Sequence, residues 1–515
     1  MIRSAYKALL RFDPRQRSHL FRRGMRNAVW NTLDYLVLPL LFLLATPFLV
    51  SRLGIQQFGI WMLVNALTGT LSVMHFGLGD ATVKYVSSHR ARGDWQGVVR
   101  VIRSTQTVYG ALGIVSAAAV VLGSPLLAGH IFKVEASHQA LAIAAIRIGG
   151  IGLAVRFVNN VFAAALQGLE RYDLSAKVTI LTKAATIGGI VVAVALGYGL
   201  ETLLWISVIC AAIGATGLAV VVKSSITDLH FWPMLDRAAL HEVFGFGFYS
   251  WLGAIAGTIF AQADVLLVGA LLGTIAVTYY SVCQKLAMQV HAFLAAGSAF
   301  LFPMSSVATE QGDLARMHRI YAGALSVIAV LSAAIGVPIF LFSQSILTHW
   351  MGADFASHAS GLLKILVFGY ALLATSIVPY NVLNGTGRVR MNAALSWSSV
   401  AVVISGIFCF APIFGLVGVA WARLLNIGPL LFAMVYVQHG LLKWSGWRKT
   451  IAPFVPCALL FATALMILNV LGIPRMNLFE LSGMVAISAG ITGLFALVVQ
   501  KLFPIGYESV FLEPS

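Results

Sequence analysis

The sequence predicts an all-α polytopic membrane protein with about fourteen transmembrane helices. Of its 515 residues, 59% are hydrophobic and only 10% are charged, whereas soluble domains carry about 25% charged residues. Apolar runs of about 20 residues, long enough to cross a hydrocarbon core about 30 Å thick, recur along the chain. These runs are too continuously apolar for barrel strands, which alternate in polarity over about ten residues.

The predicted helices form three groups separated by polar segments. A basic cytoplasmic segment is expected at residues 1–28, helices 1 to 6 at 29–222, and a cytoplasmic linker at 223–243. Helices 7 to 12 follow at 244–437, helices 13 and 14 at 450–503, and a cytoplasmic tail at 504–515. The individual spans are predicted at residues 29–51, 56–78, 105–127, 140–167, 176–197, 201–222, 244–272, 276–303, 320–345, 362–385, 391–412, 416–437, 450–472 and 481–503.

The net charge of +16 is distributed unevenly between the two predicted faces of the membrane. With the N-terminus inside, about 25 Lys and Arg residues fall on the cytoplasmic side, as the positive-inside rule requires. Only Arg52, Lys133, Lys364 and Arg475 fall near the outer face. The charge therefore indicates a bacterial inner-membrane protein with both termini cytoplasmic and contacts to anionic phospholipids, and it does not indicate nucleic-acid binding.

Glycine landmarks indicate an internal duplication. Gly54 and Gly93 are 39 residues apart, as are Gly273 and Gly312. Further landmarks recur at nearly the same offset, Gly168 and Gly199 matching Gly385 and Gly415. Since each repeat has six spans, an even number, the repeats share one orientation in the membrane. We therefore expect two six-helix lobes around a central cleft, with two extra C-terminal helices.

Polar residues within spans are the candidate substrate site, because a charge at mid-membrane costs about 2.5 to 3.5 kcal/mol. In span eight, Thr278, Ser281, Lys285 and Gln289 share one helical face, and Gln284 lies beside it. This face is expected to line the cleft. Similar polar positions lie in spans four and two, namely Arg156, Asn159, Asn160 and Asn65. For the uncharged positions, hydrogen bonding between helices is an equally good interpretation.

Other charged positions are weaker candidates. Arg147, Lys183 and Arg423 lie near predicted span ends, where long side chains reach the headgroups. Asp34 and Asp264 are either structural ion-pair partners or ligands of a coupling ion. The cleft thus holds more deep cations than anions, which favours an anionic substrate bearing phosphate or pyrophosphate, with amides and hydroxyls available for sugars.

The four cysteines, Cys210, Cys283, Cys409 and Cys457, lie in apolar spans without Cys-X-X-Cys spacing. They are interpreted as packing residues, and neither a disulfide nor a metal site nor another cofactor is predicted.

The sequence resembles the multidrug/oligosaccharidyl-lipid/polysaccharide exporter superfamily, and within it the Wzx-type polysaccharide and O-antigen flippases. In the first half, the resemblance is carried by L-V-S-R-L-G-x-x-x-F-G-I-W at Leu49 to Trp61, F-G-L-G-D-A-T at Phe76 to Thr82, and R-G-D at Arg92 to Asp94. In the second half it is carried by Ala263 to Tyr280 and by L-N-G-T-G-R at Leu383 to Arg388.

The resemblance implies an alternating-access flippase that moves an undecaprenyl-pyrophosphate-linked oligosaccharide from the cytoplasmic to the periplasmic leaflet for lipopolysaccharide or exopolysaccharide synthesis. It implies H⁺ or Na⁺ as the coupling ion, and a polysaccharide polymerase and chain-length proteins as partners. It implies a transporter and no enzyme activity.

Three alternatives remain open at this point. A multidrug antiporter of the same superfamily would need carboxylates in the cleft, where this chain has mostly cations. A carrier of the major facilitator type would need G-x-x-x-D-R-x-G-R-R in the loop from Asp80 to Arg103, which lacks it. A polysaccharide polymerase or ligase would need a large outer loop, but the longest here, from Gln344 to Gly361, offers only His349, Asp354 and His358 without a nucleophile.

The topology can be tested with fused reporters. Because the inner loops carry most of the basic residues, a reporter after Trp447 should read as cytoplasmic and one near Ala356 as periplasmic. Alkaline phosphatase and green fluorescent protein fusions measure the two states. The opposite reading at either site would contradict the assignment.

Overall fold

The computed structural model describes residues 41–75, 77–226, 229–230, 232–443, 459–464, 466 and 478–502, and these residues form helices joined by short connections. The first part of predicted span one, which includes Asp34, lies outside the described residues, as do most of span thirteen and Cys457.

The first half of the described chain contains seven α-helices. They are α1 (Leu41–Leu53), α2 (Ile55–Leu71), α3 (Leu78–Ala91), α4 (Trp95–Leu126), α5 (Gln139–Gly168), α6 (Tyr172–Ala195) and α7 (Leu200–Ser225).

The second half contains ten more. They are α8 (Arg237–Leu272), α9 (Thr274–Gly297), α10 (Leu301–Glu310), α11 (Leu314–Leu341), α12 (Ser343–Met351), α13 (Ala353–Ala374), α14 (Ile377–Gly385), α15 (Val389–Leu424), α16 (Ile427–Val435) and α17 (Leu478–Leu502). Helix α15 is kinked at Gly415, whose φ of 57° is not helical.

The prediction of an all-α polytopic membrane protein is confirmed. Within the described ranges, nine helical segments are long and apolar enough to cross a membrane, or ten if α9 and α10, bent by 43°, are one span. The predicted total of fourteen is not reached in these ranges.

Two predicted loops are wrong in detail, because both are largely helical. The loop expected from Asp80 to Arg103 forms most of α3 and the start of α4, and the outer loop expected from Gln344 to Gly361 forms α12 and the start of α13. Each is broken mainly at one glycine of positive φ, Gly93 at 72° and Gly352 at 98°. Hydropathy marks where apolar character ends, but a helix continues until its backbone is interrupted.

The backbone repeats the duplication found in the sequence. Positive φ angles occur at Gly54 (81°) and Gly273 (84°), and at Gly93 (72°) and Gly312 (67°). They also occur at Lys133 (45°) and Gly352 (98°), and at Glu170 (59°) and Gly387 (75°). The first three pairs are separated by 219 residues and the fourth by 217. Because non-glycine residues rarely adopt positive φ, such regular recurrence indicates two copies of one helical plan.

Equivalent helices also begin with the same cap. Asp94 Oδ1 accepts a hydrogen bond of 2.8 Å from the Gly97 N–H at the start of α4, and Asp313 Oδ1 accepts one of 2.8 Å from the Arg316 N–H at the start of α11. The Gly97 hydrogen bond, assisted by His89, holds the pKa of Asp94 below its ordinary value. Both copies thus end the same connection in the same way.

The described chain divides into two compact units that do not follow the sequence repeats. Unit 1 comprises the residues up to Ala45, Met74–Leu122 and Arg147–Ser250. Unit 2 comprises Thr46–Val73, Gly123–Ile146 and the residues from Trp251 onward. The lobe boundaries at 29–222 and 244–437 stay a prediction.

Unit 1 is held by close helix packing. The rings of Tyr109 on α4 and Phe157 on α5 meet edge to face at 6.0 Å, and a Cβ on Gly214 of α7 would lie 2.5 Å from Thr182 Oγ1 of α6. The connection after α7 returns along α4, where the hydroxyls of Ser104 and Thr107 accept backbone N–H groups.

In unit 2, helix α9 is the central element. It packs against α2, where a Cβ on Gly59 would lie 2.0 Å from the Thr274 carbonyl oxygen. The Thr278 hydroxyl donates to the Ile55 carbonyl at 2.5 Å. An apolar cluster, which includes Leu301, Tyr321 and Val378, packs α10, α11 and α14 together. Because α9 is packed among other helices of unit 2, this packing fixes the positions of its polar residues.

Two equivalent glycines permit close packing in the two repeats. A Cβ on Gly168 would lie 2.7 Å from Val86 Cβ and 3.0 Å from the Val83 carbonyl oxygen, and one on Gly385 would lie 2.7 Å from Ser305 Cβ and 2.9 Å from the Phe302 carbonyl oxygen. The contacted pairs are themselves 219 residues apart. Only a hydrogen atom fits at either site.

Gly168→Ala and Gly385→Ala should each destabilise the protein by about 1 to 3 kcal/mol, because the added methyl overpacks a helix contact. The measurement is thermal unfolding of the purified protein in detergent. The matched control is Gly110→Ala inside α4, where a Cβ would meet nothing within 4 Å and alanine favours the helix. Equal unfolding temperatures for all three variants and the wild type would contradict this packing.

Candidate functional site

An ion pair between Asp264 and Arg423 lies in the interior of unit 2. Asp264 on α8 is 2% exposed and Arg423 on α15 is 7% exposed. Asp264 Oδ2 accepts a hydrogen bond of 2.7 Å from Arg423 Nε, and Arg423 Nη2 lies 2.6 Å from the same oxygen. Removing one partner of such a pair typically costs about 3 to 5 kcal/mol, because the other is left buried and uncompensated.

Further polar groups complete the shell of the pair. Asp264 Oδ2 also accepts from the Tyr280 hydroxyl at 2.5 Å and from Gln284 Nε2 at 2.9 Å. Oδ1 accepts the Val265 N–H at 3.0 Å. The guanidinium donates from Nη2 to the Phe260 carbonyl at 2.9 Å. The carboxylate charge is thus satisfied by donors from α8, α9 and α15.

Aromatic rings and a small cavity adjoin the guanidinium. Arg423 Cζ lies 4.8 Å from the Phe260 ring centroid and 5.2 Å from that of Tyr370, within cation–π range. A cavity of about 20 Å³ is lined by these three residues and by Asn426, which is space for about one water molecule. Asn426 Oδ1 is buried and accepts no hydrogen bond from the described residues.

Lys285 lies one residue beyond Gln284 and is half-buried. Asp264 is close enough to interact with it electrostatically, yet the hydrogen bonds and ion pair of that carboxylate belong to other residues. In the part of the chain that the structure describes, no carboxylate lies within ion-pair distance of Lys285. Asp264 and Arg423 thus balance each other, and Lys285 has no carboxylate partner of its own among the described residues.

The other members of the predicted polar face of span eight are more buried than expected. Thr278 and Ser281 are 0% exposed and Gln289 is 7% exposed. Gln289 donates from Nε2 to the Lys285 carbonyl at 3.2 Å, while its Oε1 and the Ser281 hydroxyl meet no hydrogen-bond partner among the described residues. The expected open face is therefore wrong except at Lys285, because α9 is packed on several sides.

Arg156 lies on α5 in unit 1. Its side chain is exposed, although protein atoms surround it on most sides. Across the described residues it has neither a hydrogen bond nor an ion pair. Asn159, one turn away, donates to the Ala211 carbonyl of α7 at 3.1 Å, and Asn160 is exposed. Unit 1 thus also holds a deep cation without a carboxylate partner.

The remaining predicted positions are dispersed. Asn65 donates to the Trp61 carbonyl of its own helix at 2.9 Å, and Gln284 donates a hydrogen bond to Asp264. Arg147 and Lys183 are exposed. Arg423 does not extend to the headgroups as expected but points inward to Asp264, because an anion in the interior attracts it more strongly than the interface does. Among the described residues no His, Cys, Asp and Glu group suits a metal ion.

The pairing of Asp264 with Arg423, and the positions of Tyr280 and Tyr370 beside them, were not predicted from the sequence. Their separation of 159 residues gives no local pattern. One available signal was asymmetry, because the duplication aligns Asp264 with Ala45 and Arg423 with Ser207. Two opposite charges present in one repeat and absent from the other are candidates for a pair.

The fold is similar to that of solved membrane proteins. The structure of the lipid II flippase MurJ in its inward closed conformation matches with a TM-score of 0.69 at 13% identity, covering 92% of this chain and 98% of that one. An inward-facing multidrug resistance MATE family transporter of the MOP superfamily matches with a TM-score of 0.67 at 15% identity, covering 80% and 99%. The chain has the polytopic fold of that superfamily.

The family follows from a match over most of the chain. The model of the polysaccharide biosynthesis protein family matches residues 49–360, and the chain belongs to this family. A Shigella flexneri protein provisionally named an O-antigen transporter is 19% identical over 421 residues, which cover 80% of this chain and 98% of that protein.

The accessibility of Lys285 can be measured by thiol labelling. With the four native cysteines replaced by serine, Lys285→Cys should react with a small water-soluble thiol reagent, because this position is half-exposed. The control Val265→Cys, on a side chain 3% exposed, should stay unlabelled. Intact-protein mass spectrometry gives the labelled fraction. Complete protection of position 285 in every transport state would assign Lys285 a purely structural role.

Proposed function

We propose that the protein is a flippase that moves a lipid-linked oligosaccharide, carried on undecaprenyl pyrophosphate, from the cytoplasmic to the periplasmic leaflet by alternating access. The observation that carries the proposal is an imbalance of charge. Arg423 is neutralised by Asp264, whereas Lys285 and Arg156 have no carboxylate partner within the described chain. A cation kept in the membrane at a cost of about 2.5 to 3.5 kcal/mol is best explained by an anion that arrives with the substrate.

The chemistry of the two cations suits phosphate. Arginine presents a planar fork that binds phosphate oxygens in a bidentate manner, and lysine supplies a compact point charge. The duplication also argues against a helix-packing role for either cation, because Arg156 aligns with Leu373 and Lys285 with Ala66. A structural requirement common to both repeats would recur in both. Each cation would bind the charged headgroup while the prenyl chain remains in lipid.

The relatives support this substrate class. The family is one of polysaccharide biosynthesis proteins, the Shigella relative is named for O-antigen transport, and the MurJ structure is that of a lipid II flippase. All three concern glycans or lipid-linked precursors. The protein would then lie in the bacterial inner membrane with both termini cytoplasmic, contact anionic phospholipids, and hand its product to a polysaccharide polymerase with chain-length proteins. H⁺ or Na⁺ would supply the driving force.

The alternative of a cation-drug antiporter is less well supported. Such a transporter needs a carboxylate that is available to a cationic drug, and Asp264 is already occupied by Arg423, Tyr280 and Gln284. The deep side chains that remain without a partner in the described chain are basic. Asp34, outside the described residues, is the other candidate carboxylate.

Neutral replacements at the two cations should abolish transport without loss of protein. We expect a Lys285→Gln, Arg156→Gln double variant to lose surface polysaccharide, with Lys285→Arg retaining more than Lys285→Gln, and with Arg156→Lys losing part of its activity as its bidentate geometry is lost. Complementation of a flippase-null strain, with membrane protein quantified in parallel, is the measurement.

The matched control is Lys364→Gln, which removes a half-buried cation from α13 of unit 2. This variant should complement like the wild type. Wild-type polysaccharide from the double variant would overturn the proposed role of both cations, and loss of the protein itself would make both residues structural.

A further inference from the structure

The surroundings of Arg423 are those that a bound cation would require. Around the guanidinium lie the Asp264 carboxylate and the Phe260 carbonyl, both in direct contact at 2.6 to 2.9 Å. The Tyr280 hydroxyl converges on the same carboxylate oxygen. A carboxylate, a carbonyl and a hydroxyl are the oxygen ligands that hard metal cations take from proteins.

We infer that Arg423 is a built-in cation that occupies the monovalent-cation site of Asp264, so that Na⁺ cannot bind there while the guanidinium is in place. For its meaning in transport the inference rests on the proposed function, since it assigns Arg423 as the residue that excludes a coupling ion from Asp264. Binding of Na⁺ at Asp264 can be measured on the protein alone, without any substrate.

The contacts of Asp264 Oδ2 leave no room for a metal ion at this oxygen. Oδ2 accepts Arg423 Nε, the Tyr280 hydroxyl and the Gln284 amide and lies 2.6 Å from Arg423 Nη2, while Oδ1 accepts the Val265 N–H. Arginine does not lose its proton in proteins, so this cation is permanent at any physiological pH. Na⁺ would have to displace a charge that is covalently attached and therefore present at a high effective concentration.

Removing the guanidinium should turn the same atoms into a metal site. Truncation at Arg423 would free the side of Asp264 Oδ2 that faces the guanidinium, together with the Phe260 carbonyl. The adjoining 20 Å³ cavity and the buried Asn426 Oδ1 would add room for a water molecule and a further oxygen ligand. The single negative charge left on Asp264 would favour a monovalent cation, and the rings of Phe260 and Tyr370 would border its site.

Comparison of the two repeats favours a fixed ion pair between Asp264 and Arg423 over a carboxylate that binds an exchangeable ion. The aligned positions, Ala45 and Ser207, are both uncharged, so that the anion and its cation are absent together. Lys285 does not replace Arg423 in this role, because it makes no direct contact with Asp264 in the described structure.

Thermal unfolding of the purified full-length protein tests the inference without any substrate. Unfolding is followed by the fluorescence of the 11 tryptophans, in NaCl or in N-methyl-D-glucamine chloride at equal ionic strength. The wild type should unfold at the same temperature in both salts. Arg423→Ala should unfold at a lower temperature, and Na⁺ but not N-methyl-D-glucamine should raise that temperature in a saturable manner.

Two variants serve as controls. Arg423→Lys keeps a cation and should show no Na⁺-specific rise, and the Asp264→Asn, Arg423→Ala double variant lacks the anionic ligand and should also show none. A folded Arg423→Ala protein without any Na⁺-specific rise would overturn the inference. So would a Na⁺-specific rise in the wild type that Asp264→Asn removes, because Asp264 would then bind Na⁺ with Arg423 present.

If Arg423→Ala can be recovered in only one salt, recovery in Na⁺ would support the inference and recovery in N-methyl-D-glucamine would overturn it. If it can be recovered in neither, the wild type decides, because equal unfolding temperatures in both salts support the inference and a Na⁺-specific rise that Asp264→Asn removes overturns it. A protein that transports another substrate would leave every one of these unfolding results unchanged, so failure of the proposed function and failure of the built-in cation are distinguished.

Discussion

The energetic cost of holding a charge inside a membrane-spanning segment is the constraint on which the arrangement of this protein depends. That cost is lowered in only a few ways, by an opposite charge, by hydrogen bonds or by access to water. Arg423 uses the first two, through Asp264 and the Phe260 carbonyl. Lys285 and Arg156 have neither a carboxylate nor a hydrogen-bond acceptor within the described chain. Lys285 is partly exposed and Arg156 is exposed, so the proposed substrate cleft would supply the third, access to water.

The two repeats agree in their backbone and differ in their charged residues. Both copies keep the positive φ angles that end their helices, the aspartate caps of α4 and α11, and the glycines at the α3–α5 and α10–α14 contacts. The charged residues within the spans are not kept. The backbone geometry is therefore common to both repeats, whereas each deep charge occurs in one repeat only. Such asymmetry fits a transporter whose substrate carries its charge at one end.

Much of the fold was predictable because the hydrophobic effect acts along the sequence. Spans four to six were placed within a few residues of α5, α6 and α7, since apolar runs of that length have no other stable form in lipid. The helical extent of α3 and α12 was missed, because hydropathy reports the membrane and not the end of a helix. The site was less predictable. Lys285 and Arg156 stood out as costly residues, but the pairing of Asp264 with Arg423 is a tertiary contact that no periodicity encodes.

The proposed role of Lys285 and Arg156 is to bind the phosphates of the substrate. Its most direct measurement compares the binding of undecaprenyl pyrophosphate and undecaprenol to the purified protein by native mass spectrometry. The wild type should bind the pyrophosphate lipid more tightly by about tenfold or more, equivalent to about 1.4 kcal/mol, and this preference should disappear when both cations are replaced by glutamine. Equal affinity of the wild type for the two lipids, or an unchanged preference in the double variant, would contradict it.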